Sequence, residues 1–158
     1  MKYSEADIKK VDKKIVDLLK KTGKGIFLFG DTGRGKTYTL YAINKRFREI
    51  GMSSKIENWV ELLLELRERT QYLRDAIKEL LDTNTLMIDD LGSERQTEWS
   101  QEILYTIINI AYEREKKLFI ATNLSLDEFT LRYGDRIFSR LMEMCEPYEL
   151  KGKDRRIE

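Results

Sequence analysis

Apolar and polar positions alternate along the chain in blocks that predict strands and helices in turn. Short runs bounded by polar residues and glycines predict five strands, at 25–29, 53–58, 85–90, 117–123 and 146–152. Apolar residues at helical spacing predict helices at 4–21, 36–50, 97–115, 126–130 and 135–144. The range 59–82 has the same spacing but predicts two helices that are separated near Thr70. Ser4 is the expected N-cap of the first helix, and Gly23 and Gly51 are expected to end the first and second helices.

The order of these elements predicts an α/β fold. Strands that alternate with helices form a parallel sheet covered on both faces, so the expected architecture is a three-layer α-β-α domain with a five-stranded parallel sheet. The last strand is expected at a sheet edge, because Pro147 near its start lacks the N–H group that a central strand needs. No linker composition and no internal repeat interrupts the chain, so we expect one domain over residues 1–158.

Composition excludes several kinds of chemistry. The chain has no histidine, which excludes a Ser-His-Asp triad, a Cys-His nucleophile and a histidine-ligated metal. Cys145 is the single cysteine, so no internal disulfide forms and a buried, inert thiol is expected. The formal net charge is only +1, which gives no global basic field for nucleic acid. The charged N-terminus and the lack of a long apolar run predict a cytoplasmic protein with no membrane partner.

The segment GDTGRGKT, at 30–37, matches the pattern of a phosphate-binding loop. It follows a predicted buried strand and opens a predicted helix, where backbone N–H groups and the helix dipole favour an anion. Lys36 is expected to reach the outer phosphates and the Thr37 hydroxyl to ligate Mg²⁺. The predicted nucleotide contacts are Gly30, Asp31, Thr32, Gly33, Arg34, Gly35, Lys36, Thr37 and the following Tyr38.

Polar residues close two later predicted strands. Asp89 and Asp90 end the strand TLMIDD, and Asn123 ends KLFIATN. Ligands of open parallel sheets gather at the carboxyl ends of the strands, where the phosphate loop also lies. We expect Asp89 to hold Mg²⁺, Asp90 to orient the attacking water or accept its proton, and Asn123 to face the γ-phosphate. The 53-residue separation of Asp89 from Lys36 favours a P-loop ATPase with an added strand over a simple nucleotide kinase.

Arginines are frequent in the last part of the chain. Arg136 and Arg140 are spaced for one helix face, and either a solvated stripe or a phosphate contact fits that spacing. Arg155 and Arg156 follow the last predicted strand, where a frayed basic tail is the simpler interpretation.

Taken together, these motifs resemble the AAA+ ATPase domain of the DnaC/DnaI family of bacterial replicative helicase loaders. The markers are GDTGRGKT, LMIDDLGSE, IATNLS, GDRIFSRL and the terminal KGKDRR, and they cover residues from about 20 to the end. The sequence is less closely similar to IstB-type transposition helper ATPases and to the initiator DnaA. The resemblance implies ATP or ADP with Mg²⁺ as ligands, weak hydrolysis in isolation, and a helical or ring-like array of subunits. It also implies single-stranded DNA and a DnaB-type replicative helicase as partners.

The resemblance implies roles for single residues. Lys36 and Thr37 would be the Walker A contacts, Asp89 the Walker B acid, and Asp90 would occupy the place of the catalytic acid. Asn123 would be sensor 1. Arg140 would be the arginine finger for the adjacent subunit, with Arg136 as the alternate, and Arg156 would resemble sensor 2.

Departures from the family pattern leave other functions open. Only about 22 residues precede the first strand, so the N-terminal helicase-binding domain of such loaders is absent or removed. Only residues 151–158 remain at the end of the chain, which agrees with a fold without a C-terminal lid. The helices at 59–82 would line the DNA-facing side, with the cationic residues Arg67, Arg69, Arg74 and Lys78. The alternatives are a transposition helper, a nucleotide-sensing switch with little turnover, and a small-molecule kinase.

Overall fold

The computed structural model describes residues 3–33 and 35–152, so the predictions for Arg34, Arg155 and Arg156 lie outside the described residues. The strands are β1 (Gly25–Phe29), β2 (Ser54–Asn58), β3 (Thr85–Leu91), β4 (Lys117–Thr122) and β5 (Cys145–Glu149). The helices are α1 (Lys13–Thr22), α2 (Lys36–Glu49), α3 (Trp59–Glu68), α4 (Leu73–Leu80), α5 (Glu98–Glu113), α6 (Leu126–Tyr133) and α7 (Asp135–Met144). Short 3₁₀ turns cover Ile8–Lys10 and Thr70–Tyr72.

The five strands form one parallel sheet in the order β2-β3-β4-β1-β5. The predicted fold class is therefore confirmed. The last strand lies at an edge, with Pro147 opposite Phe27, as the missing N–H group of proline requires. The strand that carries the paired acids, β3, is separated from β1 by β4.

Helices cover both faces of the sheet because the strand residues alternate between two apolar cores. Ile26 and Leu28 of β1 face a core built with α1 and α2. Phe27, between them, faces a larger core on the other side, to which α3, α4, α5, α6 and α7 contribute. Such two-sided burial explains why β1 is a continuous apolar run rather than an alternating one.

The N-terminal region departs from the prediction of one helix over 4–21. A 3₁₀ turn covers Ile8–Lys10, and α1 begins only after Asp12, whose side chain accepts a hydrogen bond from the Lys14 N–H. Val11 between them is extended. Asp7 and Asp12, not Ser4, therefore cap the two helical pieces, since each carboxylate satisfies an N–H group of the turn that follows it.

The other predicted elements are found with shifts of one to a few residues at their ends. Gly23 closes α1 and Gly51 follows α2, both in the left-handed region, as predicted. The break near Thr70 is confirmed as a 3₁₀ turn. Among the described residues, no helix combines the length and apolar character that crossing a bilayer would need.

The carbonyl oxygen of Leu118 in β4 is enclosed by β1 and β5. The Cys145 thiol donates to it at 3.1 Å, and the predicted burial of this thiol is confirmed. Burial raises the pKa of Cys145 to about 12. A Cβ atom added to Gly25 would lie 1.6 Å from the same oxygen. Only glycine therefore lets β1 lie against β4 at this point.

We expect Gly25→Ala to lower the free energy of unfolding by about 3 kcal/mol or more, because the methyl group forces β1 away from β4. Gly23→Ala is the control, since its Cβ meets nothing within 4 Å and only the left-handed backbone opposes it. That change should lower the free energy of unfolding by about 1–2 kcal/mol. Urea denaturation followed by circular dichroism measures both, and equal losses would contradict the steric explanation.

Candidate functional site

A cavity of about 670 Å³ lies at the carboxyl ends of β1, β3 and β4. Its walls contain most of the residues that the sequence predicted for one site, drawn from three separate segments. The lining residues are Tyr3, Lys10, Gly33, Gly35, Lys36, Thr37, Tyr38, Asp89, Asp90, Ala121 and Asn123.

The loop between β1 and α2 depends on its glycines. The φ angles of Gly30, Gly33 and Gly35 are 137°, 83° and 91°, which other residues rarely adopt. A Cβ on Gly30 would also lie 2.5 Å from the Leu150 carbonyl oxygen. Gly35 begins α2 with no side-chain cap, so the N–H groups of its first turn are not satisfied by a capping side chain. Such a helix start can hold a phosphate.

The side chain of Lys36 bends back and contacts the loop that precedes it. The residue is 7% exposed, and its ammonium group donates to the carbonyl oxygens of Gly30 at 2.6 Å and Asp31 at 2.8 Å. Of the predicted loop contacts, Gly30, Asp31 and Thr32 do not line the cavity, whereas Gly33, Gly35, Lys36, Thr37 and Tyr38 do. Gly30 and Asp31 instead position the lysine.

The oxygen-bearing side chains of Thr37 and Asp89, which both line the cavity, are in contact. The Thr37 hydroxyl at the start of α2 donates to Asp89 Oδ1 of β3 at 3.2 Å. Asp89 is 8% exposed, and this burial raises its pKa; the Thr37 hydrogen bond opposes the rise and the nearby Asp90 charge adds to it. A hydroxyl and a carboxylate are hard oxygen ligands, so the pair fits Mg²⁺. No cluster of three or more acidic, histidine or cysteine ligands occurs in the described part of the chain, so phosphate and water oxygens would complete the shell.

A bulge in β3 determines where Asp90 lies. Ile88 pairs with Ile120 and Leu91 with Thr122, so β3 contains one residue more than β4 over this stretch. The extra residue is Asp90, whose φ is 59°. Aspartate adopts this left-handed conformation more often than most residues other than glycine, although Glu115 of this chain also adopts it, with a φ of 56°. The backbone therefore offers a reason for the short acid at this position.

Asn123 directly follows β4 and lines the same cavity as both acids. The turn after it is fixed by Thr122, whose hydroxyl accepts a hydrogen bond from the Leu124 N–H at 3.2 Å. The predicted strand thus ends one residue earlier than expected. The structure therefore brings together Lys36, Thr37, Asp89, Asp90 and Asn123.

Arg136 and Arg140 of α7 do not line this cavity. The Arg140 guanidinium lies 3.9 Å from the centre of the Tyr112 ring, and Arg136 lies 5.4 Å from that of Tyr105. Both contacts hold α7 residues against α5. Arg140 is thus outside the site of its own chain, and its role remains a prediction.

Two residues of the N-terminal segment line the cavity although sequence reasoning missed them. Tyr3 stacks on Tyr41 of α2 with ring centres 4.9 Å apart, and the Asp7 N–H donates to the Tyr38 hydroxyl at 3.0 Å. These contacts bring Lys10 to the cavity wall as well. The pairing of Tyr38 and Tyr41 one helical turn apart was the available signal, but nothing in the sequence indicates which segment covers them.

The family model of the IstB-like ATP binding protein matches residues 2–158. The replicative helicase loader DnaI of Bacillus subtilis (strain 168) is 30% identical over 149 residues, which are 85% of this chain and 48% of that protein. The chain thus spans about half the length of this relative.

Solved structures confirm the resemblance predicted from the motifs. The crystal structure of the DnaC helicase loader superposes with a TM-score of 0.83 at 25% identity, covering 95% of this chain and 99% of that one. The structure of the replication initiator DnaA bound to AMPPCP and single-stranded DNA has a TM-score of 0.77 at 18% identity. The match covers 95% of this chain and 51% of the DnaA chain, and it shows a shared fold.

We expect Asp89→Asn to raise the midpoint of thermal unfolding near neutral pH, in buffer without nucleotide or divalent cations. Because burial raises the pKa of Asp89, the charged carboxylate destabilises the folded chain relative to the unfolded chain. This destabilisation is complete above the folded pKa and absent below the ordinary value of 3.8. The gain should therefore vanish as the pH falls through that range.

Calorimetric scans across this pH range measure the effect. Asp82→Asn, at an exposed position, is the matched control and should change the free energy of unfolding by less than about 0.5 kcal/mol. A lower melting temperature of Asp89→Asn at neutral pH would contradict the destabilising role of the buried charge.

Proposed function

The chain belongs to the family of IstB-like ATP-binding proteins and has the AAA+ fold, and from this premise we propose that it binds ATP or ADP with Mg²⁺ and hydrolyses ATP. One observation carries the proposal. The phosphate loop, the Thr37–Asp89 pair, Asp90 and Asn123 line one cavity although they come from three separate segments. A second acid and an amide beside the phosphate loop are groups that can orient an attacking water and take its proton.

The side chains divide the work of hydrolysis between them. Lys36 exchanges its two carbonyl acceptors for phosphate oxygens. Thr37 and Asp89 would hold Mg²⁺, which supplies charge neutralisation on the phosphates. Asp90 orients the attacking water and accepts its proton, and Asn123 donates from its amide toward the γ-phosphate.

We further propose that turnover is weak in the isolated chain. The side chain of Asp90 is one methylene shorter than that of glutamate, and its position is fixed by the bulge in β3. No arginine within residues 3–33 and 35–152 lines the cavity, so none of these residues supplies a guanidinium to the transition-state charge. Both features favour an enzyme that works in an array.

In that array, Arg140 of one subunit would serve the cavity of the next, in a helical or ring-like assembly, with Arg136 as the alternate. Tyr112 supports Arg140 by stacking and lies at a helix surface where it is 43% exposed. Arg156, the predicted sensor 2-like residue, lies outside the described residues. Its contact with nucleotide stays a prediction.

The proposed task is loading a replicative helicase onto single-stranded DNA in the cytoplasm. Similarity to the loaders DnaI and DnaC supports it. On the surface of α3 and α4, Arg69 is paired with Glu79 at 2.9 Å, whereas Arg74 and Lys78 are exposed and available to phosphates. The second candidate is a transposition helper ATPase, which the match to the IstB-like ATP binding protein supports. Co-purification with the host's replicative helicase, as against a transposase, separates the two.

Phosphate release tests the enzymatic part of the proposal. We expect slow ATP hydrolysis by the unmodified chain. Asp90→Asn should lower it by about 100-fold with little change in ADP affinity, since a positioned proton acceptor contributes about 10²–10⁴-fold. Lys36→Ala should lower nucleotide affinity itself. Binding without release by the unmodified chain would leave a nucleotide switch, and phosphorylation of an added acceptor would indicate a kinase.

Mixing variants tests the array. Arg140→Ala should bind ATP like the unmodified chain but hydrolyse it at least about 10-fold more slowly, because an arginine finger supplies about 10³–10⁵-fold in other systems. Adding Lys36→Ala protein should restore part of the rate, since each variant supplies what the other lacks. Arg114→Ala, an exposed arginine that follows α5, is the control and should not respond to mixing. No recovery in the mixture would contradict a finger acting between subunits.

A further inference from the structure

A buried carboxylate lies just beyond the described cavity. Glu94 follows β3, and its side chain is only 3% exposed. It accepts a hydrogen bond from Trp59 Nε1 at 2.7 Å, and the Tyr133 hydroxyl lies 2.7 Å from the same oxygen. Its other oxygen accepts from the Gly92 N–H at 3.0 Å and lies 3.3 Å from Arg132. We call Glu94, Trp59, Arg132 and Tyr133 the Glu94 hub.

One set of hub contacts fixes the turn that follows Asp90 and the end of β3. The Ser93 N–H donates to the Asp90 carbonyl oxygen at 3.2 Å, and the Gly92 N–H donates to Glu94. Gly92 has a φ of 102°, and a Cβ there would lie 2.9 Å from Leu124. Glu94 therefore supplies the hydrogen-bond acceptor that stabilises the turn after Asp90.

Another set of hub contacts reaches the base of α7. Arg132 and Tyr133 end α6, and Gly134 alone separates them from α7, which carries Arg136 and Arg140. Gln101 of α5 also donates to the Tyr133 carbonyl oxygen at 3.2 Å. Trp59, which also donates a hydrogen bond to Glu94, is the first residue of α3, so α3 contacts the hub as well. The hub therefore joins the Asp90 turn to the helix that carries the candidate finger.

Stability alone gives a weak reason for this arrangement. Removing a carboxylate from water is expensive, and well-packed apolar residues at such a site are often equally stable or more stable. The carboxylate instead contributes a defined geometry, because it accepts hydrogen bonds from donors of three separate segments. Burial, followed by the Glu94 hydrogen bond, also raises the pKa of Tyr133, so the hydroxyl stays a donor.

We propose that Glu94 is a positioning residue of the ATPase centre, which holds the Asp90 turn in its catalytic conformation and couples it to the α6–α7 junction. This rests on the proposed ATPase function. Glu94 does not touch the cavity, so it acts only through the turn that it supports.

Conservative variants test the inference in the full chain. Tyr133→Phe removes one donor, and Glu94→Gln turns one acceptor into a donor that faces other donors. Each should lower kcat for phosphate release by about 10-fold, while ADP affinity changes by less than about twofold, because only the turn is released. Tyr148→Phe is the matched control, since it deletes a tyrosine–carboxylate hydrogen bond of 2.7 Å to Asp12, remote from the Asp90 turn. It should retain the rate of the unmodified chain.

A double-mutant cycle separates positioning from mere stabilisation. Assays run below the melting temperature of every variant, which circular dichroism establishes. In the Asp90→Asn background, Tyr133→Phe should lower the residual rate no further, because the hub acts through Asp90. Losses that multiply, or a Tyr133→Phe rate equal to that of the unmodified chain, would overturn the inference. An unmodified chain that binds ADP but releases no phosphate would refute the proposed hydrolysis, and the positioning role would fail with it.

Discussion

One extra residue in β3 determines how this strand serves both the core and the cavity. Up to Asp89, alternate side chains face alternate sides of the sheet. Because Asp90 is inserted as a bulge, Leu91 turns into the larger core and is 1% exposed, whereas regular alternation would have sent Asp90 there. The bulge thus removes a carboxylate from an apolar interior and places it beside Asp89, at the edge where the phosphate loop ends.

The surrounding structure holds this conformation from both sides. Asp89 accepts a hydrogen bond from the Thr37 hydroxyl, which links β3 to the first turn of α2. It also accepts one from the Asp90 N–H at 3.0 Å. On the other side, Glu94 closes the turn through Gly92. A left-handed non-glycine residue is unfavourable by about 1–3 kcal/mol, so it persists only where neighbours determine it in this way.

Much of the fold could be predicted because strands of a parallel sheet are apolar runs with clear ends. The co-location of Lys36, Asp89 and Asn123 could be predicted for a related reason, since carboxyl ends of parallel strands meet at one edge. The first helix was mistaken because Ser4 and Asp12 both suit a cap, and only tertiary contacts decide between them. The position of Tyr3 at the cavity also depends on a tertiary contact, because its stacking partner Tyr41 is 38 residues away.

The Glu94 hub shows a different limit of sequence reasoning. Glu94 belongs to the motif LMIDDLGSE, yet its partners Trp59 and Tyr133 are 35 and 39 residues distant in opposite directions. No periodic pattern links them, and only the packing of α3 and α6 against the same core brings them together. Equally, the exposed faces of α7 and α4 are visible in the sequence as charged positions, but what they contact depends on molecules outside this chain.

The position of Lys36 has a consequence for which anions the loop accepts. Its ammonium group already has two carbonyl acceptors within the loop, so any incoming phosphate competes with oxygens of the same chain. A small anion exchanges one set of hydrogen bonds for another and gains little. A polyphosphate would also reach the N–H groups of the first turn of α2, which no capping side chain satisfies, so its gain would exceed the exchange. In the proposed nucleotide complex, this competition from the Gly30 and Asp31 carbonyl groups would favour a polyphosphate over inorganic phosphate.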